Sequence, residues 1–260
     1  MYLSDKLPRS LITLSGLSLL GLLVWELTQP LAPAWCDGGM IVLATLASLT
    51  GIYAQLPLQN VLWTTLLTAL VGSLIHGLSL KTGIPLGPVT FTAENQPRPG
   101  GVLWFMPWLW ICLLFTARGV ARLILRPWRQ NRAYGFRLIG LTALLAALLD
   151  LGLEPYAWHV KHWWIWQPTR LPVTWQGVPV VNFLGWLLGS LLILILITPG
   201  LIRKQPGQSS RPDWLPAWVW LGLWGLFAGS CARAGLWPCV VLDTFLALIP
   251  AVLAFWGGRW

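Results

Sequence analysis

Histidine, cysteine and acidic residues are all scarce in this chain of 260 residues, which holds three His, four Cys and eight Asp plus Glu. Three histidines are too few for the histidine-rich helix faces of an oxygen-using di-iron membrane enzyme, and His159 with His162 make only one HxxH pair. No GxGxxG motif follows a strand, which argues against a flavin or nicotinamide site. The Asp-rich clusters with which membrane prenyltransferases bind magnesium diphosphate are reduced to half a match, DLGLE from Asp150 to Glu154. No CxxC pair occurs among Cys36, Cys112, Cys231 and Cys239. Cys112 falls mid-span, where a small apolar filler is expected. Cys36 and Cys239, both on expected outer segments, are the one candidate disulfide.

Charge is low as well. Charged residues make up 10% of the chain, apolar residues 56%, and there are 20 tryptophans. The mean hydropathy is +0.68, whereas a soluble domain carries roughly 25% charged residues. Apolar runs of spanning length fall at about 10–28, 39–57, 60–78, 102–122, 138–154, 178–202, 214–233 and 237–256. The expectation is therefore an all-α, polytopic helical bundle of about eight transmembrane helices. The formal charge of +9 could suggest nucleic acid, but the positive-inside rule accounts for it. With the amino terminus cytoplasmic, twelve of the seventeen lysines and arginines fall on inner segments; Lys81, Arg98, Lys161, Arg170 and Arg233 are outer. Both termini are then cytoplasmic. Lys6 and Arg9 before the first run resemble a signal peptide, but that run exceeds a typical h-region, so an uncleaved helix is expected. The chain reads as one membrane domain, 1–260, with a polar inner linker at 203–213 and a carboxy-terminal helix pair at 214–256.

The most informative stretch runs from Leu141 to Trp186. Asp150 and Glu154 stand four apart, on one face of a helix. Pro155 predicts that this helix stops at Glu154. Beyond it lie His159, His162, Trp163, Trp164 and Trp166. A lone acid near a helix end can simply reach water or a lysine such as Lys161; two on one face beside aromatics are a functional candidate, because intramembrane ionisable residues usually have work to do. Asp243, on the last span, is a further acid with Arg233 as its expected partner.

The topology gathers Glu26, His76, Asp150, Glu154 and Asn182 toward the outer half. The Gly- and Pro-rich segment between His76 and Gly101 cannot be one helix, and its apolar character suggests a re-entrant or capping loop over a pocket. Gly185 with Gly189, and Gly225 with Gly229, have the GxxxG spacing of helix-packing notches. Arg118, Arg122, Arg126 and Arg129 recur at helical intervals. They are expected first as topology determinants, with anionic-lipid contact as the alternative.

What remains is cofactor-free acid–base chemistry on an apolar substrate, with no metal expected. Adding water to an isolated alkene needs a strong proton donor, a surface that tolerates a carbocation and a positioned water. A carboxyl in apolar surroundings can supply the proton, and tryptophan faces can supply the surface. Asp150, Glu154, the aromatics and Asn182 fit these needs.

TGIPLGPVTFT from Thr82, the Arg118–Arg122 stretch, DLGLEP from Asp150, the WWIW patch and GVPVVNFLGW from Gly177 occur in the order seen in a known family. Over about residues 70–200 the chain resembles the membrane carotenoid biosynthesis family, which includes carotenoid 1,2-hydratases and bisanhydrobacterioruberin hydratases. The resemblance implies a multi-span bacterial inner-membrane enzyme that hydrates a terminal double bond of an acyclic carotenoid without a cofactor. Its partners would be the carotenoid, membrane lipids and other enzymes of the pathway. Carried over by position, Asp150 is the expected general acid, Glu154 or His76 the group that orients water, and Asn182 a positioning hydrogen bonder. Thr82, Gly83, Pro85, Gly87, Phe91, Trp163, Trp164, Trp166 and Trp186 are expected around the substrate. The chain departs from the family pattern at His76, where Glu is expected, at Val89 and Phe91, where tyrosines are expected, and at Glu154, where many members have Asp. A non-enzymatic isoprenoid carrier and a divergent prenyltransferase-like enzyme are the alternatives.

Overall fold

Runs of about twenty apolar residues can satisfy their backbone in a bilayer only as helices, and that is the form they take. The computed structural model describes residues 34–53, 56–94, 96–202 and 212–260, with Gly21 and Val24. Seven helices among the described residues are long and apolar enough to cross a membrane. They are α1 (Ala34–Tyr53), α2 (Leu58–Thr82), α3 (Met106–Ile124), α4 (Tyr134–Pro155), α5 (Val180–Leu201), α6 (Leu215–Arg233) and α7 (Trp237–Gly258). The expected span at 10–28, with Glu26, lies outside the described residues, as does the expected linker up to Arg211.

Helix α3 is the hub, in contact with α1, α2, α4, α6 and α7. Its small residues let neighbours approach: Ala117 and Ala121 are fully buried. Polar ties sit in the same seams, with Ser48 and Thr116 hydroxyls 2.8 Å apart and Thr45 Oγ1 donating to the Trp108 carbonyl at 2.9 Å. The outer faces are the reverse. Leu58, Leu62, Leu66, Leu70, Leu74 and Leu78 form an exposed stripe along α2, a patch that water would not tolerate and lipid does.

Pro155 ends the α-helical hydrogen bonding of α4, but the chain does not turn away there. It continues through a π-helical turn, Tyr156–Val160, which corrects the expected stop at Glu154. Two short antiparallel ladders follow the helical core: β1 (Val89–Phe91) with β2 (Trp164–Trp166), and β3 (Thr174–Trp175) with β4 (Val178–Pro179). The β1–β2 ladder joins the Gly- and Pro-rich segment to the tryptophan-dense turn, so the expected capping loop is anchored by main-chain pairing.

Three expectations need correction. Cys36 and Cys239 are not joined by a disulfide. Arg233 does not pair with Asp243, whose two carboxyl oxygens have no hydrogen-bond partner among the described residues. Gly225 is no packing notch, because a Cβ there would meet nothing within 4 Å. Gly185 and Gly189 are notches: a Cβ on Gly185 would lie 2.6 Å from the Pro85 carbonyl oxygen, and one on Gly189 3.0 Å from Trp110.

Gly185→Ala must therefore push the loop off α5, and thermal unfolding in detergent is expected to show a loss of about 1–3 kcal/mol. Gly225→Ala is expected to be neutral or to stabilise by up to about 1 kcal/mol, since it removes a helix-interior glycine without a clash.

Candidate functional site

Four elements meet at the end of the bundle where α4 finishes and α5 begins. Asp150 and Glu154, one turn apart on α4, are both buried. Asn182, in the first turn of α5, reaches both: its Nδ2 donates to Asp150 Oδ2 at 2.7 Å and to Glu154 Oε1 at 3.0 Å. One amide thus uses its two N–H bonds on two carboxyls.

The ladder completes the coordination of Glu154. Side chains alternate along a strand, so Trp164 and Trp166 point to the same face while Ile165 points away and is exposed. Both indoles donate to a single oxygen, Glu154 Oε2, at 2.9 and 2.7 Å. Across the ladder Phe91 is opposite Trp164 and Val89 opposite Trp166. The Phe91 and Trp164 rings meet edge to face at 5.9 Å.

His76 closes the site from α2. Trp110 Nε1 donates to His76 Nδ1 at 3.1 Å, and Trp186 stacks on Trp110 with centroids 3.8 Å apart. Glu154, Asn182, His76, Phe91, Trp164, Trp166 and Trp186 border one enclosed cavity together with Leu86, Val89 and Met106. Its volume is ≈ 10 Å³, about the space of a single water. Among the described residues Asn182 Oδ1 and Asp150 Oδ1 have no hydrogen-bond partner. Asp150 itself does not border the cavity; it lies behind Asn182.

The loop residues shape this site from outside it. Gly83 ends α2 in the left-handed conformation, φ 73°, and its N–H returns to the Ser79 carbonyl. Thr82 Oγ1 donates to the Leu78 carbonyl at 2.8 Å, and the Ile84 N–H donates to that same hydroxyl at 3.1 Å. Pro85 follows a cis peptide and presents its carbonyl to Gly185. Gly87 packs beneath Trp166, where a Cβ would come within 3.4 Å of the ring. None of these four touches the cavity.

Trp163 also points elsewhere. Its Nε1 donates to Asp37 Oδ2 at 2.8 Å, and Lys161 Nζ pairs with Asp37 Oδ1 at 2.7 Å. Lys161 is thus committed to α1 and not to the acid pair. His159 Nε2 sits 2.8 Å from the Gln176 carbonyl and His162 is exposed, so neither joins the acids. Among the described residues no three His, Cys, Asp or Glu side chains converge as metal ligands. Sequence reasoning missed Asp37, Met106 and Trp110. Trp110 carried no signal that set it apart from the other tryptophans of its span, and Asp37 precedes its partners Lys161 and Trp163 by more than a hundred residues.

Long lipid-facing helices around an enclosed polar site define a multi-span helical membrane protein. The chain belongs to the carotenoid biosynthesis protein family, whose family model matches residues 38–250, and its role lies in carotenoid biosynthesis. Comparison with curated proteins and with solved structures gives no match.

Asp37→Ala leaves the Lys161 ammonium and the Trp163 indole without this partner. It is expected to cost about 3 kcal/mol of stability, measured by denaturation in detergent. Turnover per folded molecule is expected to be unchanged, because Asp37 does not border the cavity.

Proposed function

We propose that the protein is a carotenoid hydratase that adds water across a terminal C=C of an acyclic carotenoid end group by acid catalysis without a cofactor. The observation that carries this reading is the cavity itself: it has the volume of one water and is bordered by Glu154, by His76 and by Asn182, whose Oδ1 has no hydrogen-bond partner among the described residues. Hydration needs a proton donor and a held water in the same place, and a carrier needs neither.

The roles follow from hydrogen-bond supply. Three N–H groups aim at Glu154, the pattern of a carboxylate that accepts; Asp150 receives one and keeps Oδ1 free, the pattern of a carboxyl that carries a proton. Asp150 keeps its proton and so places no second negative charge beside Glu154, while Glu154, at the cavity surface, cycles between its anion and its acid and in the acid form protonates the less substituted alkene carbon. The alkene π pair forms the new C–H bond, leaving a tertiary cation. Faces of Trp164, Trp166 and Trp186 stabilise that cation by roughly 2 kcal/mol or more where desolvated. Water held by Asn182 Oδ1 and the His76 ring adds through its lone pair. Its surplus proton returns to Glu154, so the sum is substrate plus one water and no electron is transferred. A polyene end enters only as the apolar side of the cavity yields, at Leu86, Val89, Phe91 and Met106.

Expressed in a host that makes lycopene or γ-carotene, the protein is expected to yield a carotenoid heavier by one water, with the oxygen drawn from labelled water. Asp150→Asn and Glu154→Gln are each expected to lower that product about 10²–10⁴-fold while the protein stays in the membrane at normal level. Product gaining oxygen alone, or formed at full rate by both variants, overturns the assignment.

A further inference from the structure

A second pocket lies at the other end of α3. Its volume is ≈ 270 Å³ and its walls include Arg118, Arg122, Arg126 and Arg129, with Tyr134 and Asp213. That is close to the lower bound of small-molecule pockets, about 300 Å³. Nothing in the chemistry of the acid pair uses it.

Arginines at the end of a membrane helix ordinarily lie out in water, and a topology signal needs no more than that. These do not all do so. Arg118 is 7% exposed. Of its five N–H donors, one is used within the described residues, Nη2 to the Leu201 carbonyl at 3.3 Å. Holding a guanidinium in that position is costly unless an anion meets it. The charged residues on the wall are four arginines and one acid, Asp213. Asp213 Oδ1 also accepts the Leu215 N–H at the start of α6. The first turns of α4 and α6, at Tyr134 and Pro216, open onto the same space and add their positive dipole ends.

The remaining wall is apolar, with Phe115, Ile52 and Leu123. A soluble phosphate has no use for that wall, whereas an amphiphile does. We propose that this pocket binds the phosphate of an anionic phospholipid, with Arg118 and Arg122 donating to the phosphate oxygens and the glyceryl stem lying on Phe115 and Leu123. Arg126 and Arg129 supply field at the mouth. Bidentate guanidinium–phosphate contacts suit such recognition, and the site lies at helix ends, where head groups are found.

The test uses the full chain purified in neutral detergent and titrated with phosphatidylglycerol, phosphatidylcholine or inorganic phosphate, read by thermal unfolding and by mass spectrometry of retained lipid. Phosphatidylglycerol is expected to raise Tm saturably and to bind at least about tenfold tighter than phosphatidylcholine, an advantage that added salt weakens. Arg122→Gln is expected to reduce that affinity about tenfold, and Arg132→Gln, outside the pocket, to leave it unchanged. Arg118→Gln is expected to act like Arg122→Gln or more strongly; should it fail to fold, the half-buried Arg122 decides alone. Equal binding of the two lipids, or wild-type affinity in Arg122→Gln, overturns the proposal. Equal protection by inorganic phosphate overturns the lipid assignment in favour of a soluble anion.

Discussion

The fold depends at its critical point on one side-chain amide. Two carboxyls one turn apart on an apolar helix are costly to bury in ionised form unless donors meet them, by several kcal/mol even after relaxation. Among the described residues no lysine or arginine pairs with either, and Asn182 supplies an N–H to each. Its place in the first turn of α5 fixes that helix against α4. The glycines one and two turns further on, at 185 and 189, then let α5 lie against the loop carbonyl of Pro85 and against Trp110. The hydrogen bonds and the close approach specify the same register.

The same demand explains the ladder. Glu154 has lone pairs left after Asn182, and only an extended segment puts alternate residues on one face at a spacing that lets two indole N–H groups converge on one oxygen. A helix through Trp164–Trp166 would splay them by about 200°. The β1 partner brings Val89 and Phe91 to the same face. A satisfied acid and an apolar roof thus come from one pairing.

Period and spacing in the sequence revealed the spans and the acid pair, because helical periodicity survives whatever the helix packs against. The i, i+4 relation of Asp150 and Glu154 was legible for that reason, and Asn182 was legible as an amide placed in the same half of the bundle as the acids. What stayed hidden was direction. Trp163, Trp164 and Trp166 are indistinguishable as letters, yet Trp163 serves Asp37 and the other two serve Glu154. That division follows from where the ladder begins, a fact of long-range pairing. Gly225 has the spacing of a notch and no neighbour to fill it, because spacing sets a face and not what stands opposite. The depth of Asp150 behind Asn182 was hidden likewise: two acids on one helical face still differ by one turn of height, and the cavity meets only the upper one.

Helix α3 carries this logic across the bundle. At one end Trp110 holds His76 Nδ1 and stacks on Trp186; at the other, Arg118 and Arg122 open into a positively charged pocket. The buried core of α3 lies between those two arginines and the acid pair, and the guanidinium that does lie near the cavity, Arg98, is spent on the main-chain carbonyls of Phe91 and Ala93. The separation has a physical reason. A guanidinium within a few ångströms of the carboxyls would hold both as anions, and an acid pair fully neutralised by a cation has no proton to give. Acid chemistry at this pair, as proposed, therefore requires that nearby cations be held by other partners, as Lys161 is by Asp37 and Arg98 by the Phe91 and Ala93 carbonyls.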